Sequence, residues 1–170
     1  MSACVVLDTN VVLDLWVFDD PRTHALRARI EAGDVRWRAT GAMREELVRV
    51  LDYPQIAARR ALHGLTAQEV LACFDRHAEL VGDAPPAPMA CQDPDDQVFI
   101  DLAVAHGAQL WSKDKRVQAL RRRLAAAGAE LFTVPAAAAA AAARTTRAAA
   151  APLPAPAACR GPSGGSPAGA

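Results

Sequence analysis

The sequence predicts an α/β domain in which a parallel sheet is covered by helices on both faces. Four short runs are apolar or β-branched, and each is followed or preceded by a helical pattern. The last two of these runs enclose a helical segment ended by glycine, which makes a complete βαβ unit. Alternation of this kind favours parallel pairing, because a parallel neighbour is reached through a crossover that is usually helical. A ligand site in such a sheet lies at the carboxyl ends of its strands.

The first run is "CVVL" (4 to 7), and Asp8 follows it directly in "VVLDTNVVLDLW". An aspartate there is commonly the N-cap of the next helix, and otherwise the start of a site. Asp14, farther along the same stretch, reads as an ordinary surface charge. "VRWRAT" (35 to 40) is the second run. In "GAMREELVRVLDYP", Met43, Leu47, Val50 and Leu51 share one side of a helix and Glu45 points away from it. Glu46 lies at the margin of that stripe, roughly 85° from its centre at 100° per residue. In "CQDPDDQVFIDLAVAHG", Asp93 and Pro94 read as N-cap and first helical residue. Asp95 and Asp96 then occupy the first turn, where the helix dipole favours acids, and Asp96 resembles the acidic half of a capping box. Helical phase points Asp95 nearer the apolar side and puts Asp96 and Asp101 at opposite margins, so spacing leaves the choice among them open. "AQLWS" (108 to 112) is the third run, with Asp114 two residues past it. Val117, Leu120 and Leu124 follow at helical spacing, Gly128 ends the segment, and "ELFTV" (130 to 134) is the last run.

From Pro135 onward the chain is alanine, proline and glycine with Leu153 as its one large apolar residue. Such a segment buries too little surface to offset its ordering entropy. The expected organisation is one folded domain over residues 1 to 135 and a disordered tail over 136 to 170. Three of the 19 basic residues lie in the last 36 positions, which leaves 16 against 19 acids in the folded part. That balance argues against binding nucleic acid by bulk positive charge. Cys4, Cys73, Cys91 and Cys159 form no C-x-x-C pair and read as reduced, mostly buried thiols. Trp16, Trp37, Trp111 and Phe99 read as core, and the four histidines show no metal or catalytic spacing. The N-terminus has no basic region before its apolar run, and no stretch approaches the roughly 18 apolar residues of a membrane span. A cytoplasmic protein without a membrane partner is expected.

In their order, "VVLDTNVVL", "ATGAMREELVRVL" and "DPDDQVFIDLAVAHGAQLWSKDKRV" resemble the successive signatures of a PIN domain, of the bacterial kind found as the toxin of toxin–antitoxin pairs. The resemblance covers about residues 3 to 135. It implies a three-layer α/β/α fold whose central parallel sheet has about five strands. Position by position, the family's acidic quartet falls on Asp8, Glu46, Asp96 and Asp114, which selects Asp96 where periodicity did not. It further implies Mg²⁺ or Mn²⁺ held by Asp8, Asp96 and Asp114, with Glu46 a ligand through water or the group that orients the attacking water. Such ions prefer oxygen ligands, and clustered carboxylates repel one another without a cation. Thr9, Asn10 and Ser112 would support carboxylates or phosphate, or serve as local caps. An RNA substrate, a small antitoxin protein and a homodimer are the implied partners.

The chain departs from the pattern near the fourth acid. Relatives of this type often read Asp-Lys-Asp, whereas "SKDKRV" puts Arg116 where the further acid would stand. Either a peripheral ligand is lost or an arginine is placed to touch phosphate. Lys113, Lys115 and Arg116 are the expected phosphate contacts, and Arg121 to Arg123 the solvated face of a helix. An aspartyl-phosphate phosphatase of the haloacid dehalogenase type also begins with an aspartate after its first strand, but it needs Asp-x-Asp. Asn10 stands at the second position, and an amide cannot transfer that proton. The other readings are a solitary RNA-processing nuclease and a degenerate, non-catalytic module that binds RNA or protein.

Overall fold

A computed structural model describes residues 3–134; the expected tail lies outside the described residues. The first half of the domain runs β1 (Ala3–Leu7), α1 (Thr9–Trp16), α2 (His24–Glu31), β2 (Val35–Thr40), α3 (Gly41–Leu51), α4 (Pro54–Leu62), α5 (Ala67–His77) and β3 (Ala78–Val81). The second half runs α6 (Gln97–His106), β4 (Gln109–Trp111), α7 (Lys115–Ala119), α8 (Arg121–Ala126) and β5 (Glu130–Phe132). All neighbouring strands pair in parallel, in the order β3-β2-β1-β4-β5. The chain therefore moves outward from β1 to β3, returns across the sheet, and moves outward again from β4 to β5. That reversal lies between β1 and β4, where open α/β sheets leave a crevice for a ligand.

The central strand is the most buried one: Val5, Val6 and Leu7 have almost no exposed surface. Trp37 on β2 turns to one face, stacking on Trp16 of α1 at 5.3 Å between ring centroids and meeting Phe74 of α5 edge-on at 4.8 Å. Arg38, next in the strand, turns to the other face and meets His106 of α6. Helices thus cover both faces, in three layers.

Four of the five strands lie on the runs read from the sequence. β3, "AELV", has no fully buried residue and lies at the edge of the sheet, so it carries neither an alternating nor a continuous apolar signal. The apolar segment after β4 is two short helices rather than one, with Leu120 at the break; Val117, Leu120 and Leu124 are buried as their spacing requires. Of the three described cysteines only Cys73 is fully buried, while Cys4 and Cys91 are half-buried. Trp16, Trp37 and Phe99 belong to the core; Trp111 is half-buried and stacks on Phe132 of β5.

Because Trp37 is 1% exposed and joins two helices to the sheet, Trp37→Ala should lower the unfolding free energy by about 3–5 kcal/mol. Urea denaturation followed by far-UV circular dichroism measures it.

Candidate active site

The pairing of β1 with β4 brings the carboxyl ends of the two strands together, with Leu7 opposite Trp111. The ladder continues one step farther, since the Asp8 N–H donates to the Trp111 carbonyl at 3.0 Å. Asp8 is 4% exposed, and both of its oxygens are engaged. Oδ1 accepts the Asn10 N–H at 3.2 Å, which makes Asp8 the N-cap of α1. Oδ2 accepts the Ser112 hydroxyl at 2.7 Å, and the same hydroxyl accepts the Asp114 N–H at 3.1 Å. One buried serine thus links the first acid to the fourth. Burial pushes the Asp8 carboxyl upward, opposed by its bonds from Ser112 and Asn10.

Glu46 arrives from β2. Thr40 ends that strand and caps α3, its hydroxyl accepting the Met43 N–H at 3.3 Å. The helix then carries Glu46, half-buried, back toward β1, where the buried Thr9 hydroxyl donates to Glu46 Oε1 at 3.1 Å. Glu45 is exposed, as its phase predicts. Burial raises the Glu46 carboxyl, the Thr9 bond lowers it, and Asp8 and Asp95 raise it further.

The three aspartates that phase left open have separate surroundings. Asp101 Oδ1 accepts the Ala87 N–H at 2.8 Å and the Gln97 amide at 2.7 Å, and Gln97 also bonds Cys91 N–H and the Met89 carbonyl. Asp101 therefore tethers the loop before the helix. Asp95 is exposed. Asp96 is half-buried, and burial together with Asp8, Asp114, Asp93 and Glu46 pushes its carboxyl up to about 6. The capping expectation holds for Asp93, which accepts the Asp95 N–H at 3.1 Å above a single 3-10 turn, Pro94–Asp96. It fails for Asp96, which precedes α6 with no side-chain cap bond. Once the first turn tightens to 3-10, the N3 geometry of a capping box is lost.

The supporting residues divide. Thr9 and Ser112 bond the candidate acids through buried hydroxyls, whereas Asn10 offers its backbone N–H and its side chain is exposed. Lys115 is exposed. Arg116 donates its backbone N–H to Asp114 Oδ1 and its guanidinium to Asp93 Oδ2, both at 2.6 Å, and so ties α7 to the turn that carries Asp96. Lys113 pairs with Asp14 at 2.5 Å, and that corrects the surface reading of Asp14, which is 3% exposed. A signal for its burial was present in the sequence. Seven of the eight residues from Val11 to Phe18 are apolar, too many for one stripe, so an acid among them must find a partner inside. Arg121, Arg122 and Arg123 are exposed.

Asp8, Glu46, Asp96 and Asp114 offer only carboxylate oxygens, the donor chemistry of Mg²⁺ and Mn²⁺, and the raised Asp96 shows a field that a cation would relieve. In donor chemistry these residues fit such an ion. Among the described residues, however, no group of three His, Cys, Asp or Glu side chains converges as a metal-holding set.

Residues 4–110 match the sequence model of the PIN domain. The chain belongs to the PIN domain family. PIN domains are generally nucleases that use divalent metals. The match spans Asp8, Glu46 and Asp96 but ends before Ser112 and Asp114, which are tied to the other acids by the hydrogen bonds above. A solved structure of VapBC2 from Rickettsia felis, bound to a DNA fragment from their promoter, is similar with a TM-score of 0.51 at 12% identity, over 76% of this chain and 98% of that one. At that identity the likeness is one of fold. No curated protein matches the sequence.

Asp14→Ala frees a half-exposed Lys113 rather than stranding a fully buried charge. The loss of stability should therefore be about 1–3 kcal/mol, below the 3–5 kcal/mol of a fully buried pair, and thermal or urea unfolding reads it. Asp96 sets a pH dependence. Its folded value of about 6 lies above the unfolded 3.8, so the native state binds more protons in between, and stability falls as pH rises through that window. In EDTA, the melting temperature of Asp96→Asn should exceed that of the parent at pH 7.5, and the difference should shrink toward pH 4.

Proposed function

We propose that this PIN domain is a Mg²⁺- or Mn²⁺-dependent endoribonuclease and the toxin component of a type II toxin–antitoxin pair. The observation that carries the reading is the buried Asp8 carboxylate, bonded through Ser112 to Asp114 at the crevice of the sheet, with Glu46 and Asp96 in its field. Asp8, Asp96 and Asp114 would hold the ion, with Asp8 as the central ligand. Glu46 would hold the ion through water or orient the attacking water. When bound, the cation supplies the charge that neutralises a scissile phosphodiester and acidifies water for attack on phosphorus.

The protein's own groups set the geometry. Ser112 and Asn10 hold Asp8 in one orientation, and Thr9 holds Glu46. The Asp96 carboxyl, pushed up to about 6, holds its proton more readily than an ordinary aspartate. Lys113, Lys115 and Arg116 form the basic rim over which the strand's phosphates pass. The fold likeness to VapBC2 supports an antitoxin partner, and a homodimer is the expected assembly. A non-catalytic module that binds RNA or protein is the second reading, favoured by the absence of a converged triad among the described residues.

Purified protein should cleave RNA with Mn²⁺. Asp8→Asn and Asp96→Asn should each reduce kcat at least a hundredfold while leaving the fold intact by circular dichroism. Activity persisting in both variants defeats the nuclease assignment; RNA that is bound but left whole by the parent protein favours the second reading. Relief of growth arrest by a small reading frame encoded directly upstream would separate a toxin from a solitary processing nuclease.

A further inference from the structure

A groove opens beside Glu46 between α3 and the 3-10 turn before α6. Glu46, Arg49, Val50 and Tyr53 line one wall and Asp95 and Val98 the other. On the first wall the residues recur at i, i+3, i+4 and i+7, the spacing of one helical face. α3 ends at Leu51, yet the Tyr53 N–H still donates to the Val50 carbonyl at 3.1 Å, which holds Tyr53 close behind the helix. Tyr53 is 48% exposed, and it is the one aromatic among the exposed large hydrophobic side chains of the described residues. Val50 and Val98 are half-buried and supply an apolar lining. The groove is continuous with the candidate site at two points, because Glu46 belongs to both and Asp95 adjoins Asp96.

We infer that this groove is a nucleobase subsite, in which the unpaired base next to the scissile phosphate stacks on Tyr53. The inference rests on the nuclease reading and deepens it by naming how the RNA strand is gripped. The chemistry favours a base over a phosphate. Glu46 and Asp95 outnumber Arg49, so a free anion is repelled, whereas an uncharged ring finds an aromatic and apolar wall. The Asp95 carboxylate accepts from N–H groups on the base edge and the Arg49 guanidinium donates to its carbonyl or ring nitrogen. Those edges are free only when the base is unpaired, so the subsite selects single-stranded RNA. Stacking on an aromatic side chain accepts every base and supplies most of the grip.

The test uses the full chain, Mn²⁺ and a fluorescein-labelled single-stranded RNA whose cleavage position has been mapped with the parent protein. Tyr53→Ala should raise KM roughly tenfold with kcat within about twofold of the parent, and Tyr53→Phe should restore KM. Arg49→Ala should raise KM in the same way. An abasic nucleotide beside the cut should cost the parent a comparable factor and cost Tyr53→Ala nothing further. Unchanged melting temperatures confirm that the half-exposed ring is not structural.

An unchanged KM in Tyr53→Ala, or an abasic loss that adds to that of the substitution, overturns the subsite while leaving the nuclease reading intact. Should Tyr53→Ala weaken a co-expressed antitoxin and not the RNA, the groove binds protein and the subsite is again overturned. If the parent protein binds this RNA without cutting it, fluorescence anisotropy reads the same Tyr53 and abasic effects on Kd. A parent protein that neither cuts nor binds it defeats both readings.

Discussion

A carboxylate buried at the end of a central strand needs hydrogen bonds on both oxygens, and for Asp8 one of them comes from the hydroxyl of Ser112. That serine lies one residue past β4 and is itself 1% exposed, so its hydroxyl has few orientations open to it. By donating to Asp8 and accepting from the Asp114 N–H it fixes the separation of two acids 106 positions apart in the chain. The remaining geometry follows from this bond. It requires β4 to pair with β1 in the observed register, and that pairing creates the crevice over which Glu46 and Asp96 are brought.

Charge is balanced across this region by pairs rather than by an excess of one sign. Lys113 lies on the buried Asp14 of α1 and Arg116 lies on Asp93, so two of the three cations next to Asp114 in the chain are anchored to acids outside the quartet, while Lys115 is exposed. Anchoring restricts long side chains that would otherwise sample many rotamers, and it keeps them from collapsing onto Asp8 or Asp96. Asp96 meanwhile faces acids on several sides and is raised to about 6. Acids therefore outweigh cations around Asp96 while Lys113 and Arg116 are paired to Asp14 and Asp93, an arrangement suited to receiving a divalent cation from solution.

Local features of the fold were legible because they depend on neighbours in the chain. β1, β2, β4 and β5 appear as apolar or β-branched runs, α3 shows its stripe, and Asp93 with Pro94 marks the start of the turn before α6. β3 did not appear, since an edge strand with exposed Glu79 and Leu80 carries little burial to shape its composition. Asp14 was misjudged as a surface charge although apolar residues enclose it from Val11 to Phe18, because its partner Lys113 lies on a different strand's exit and is invisible to periodicity. The groove at Tyr53 went unread for a similar reason: its two walls come from segments some forty residues apart.

By itself, the sequence determined the α/β class, the parallel sheet and the family, because alternating periodicity and an ordered series of motifs are written along the chain. It also placed Asp8 at a strand's carboxyl end and, through Asn10, excluded a second carboxylate two residues later. Helical phase could not separate Asp95, Asp96 and Asp101, which differ by what faces them and not by position within the helix. The tertiary structure separated them physically: Asp101 tethers a loop, Asp95 lines a groove and Asp96 lies among the acids. It also decided that Asp8 is both a helix cap and a member of the acidic group, since its two oxygens point to different partners, one beside it in the chain and one across the sheet.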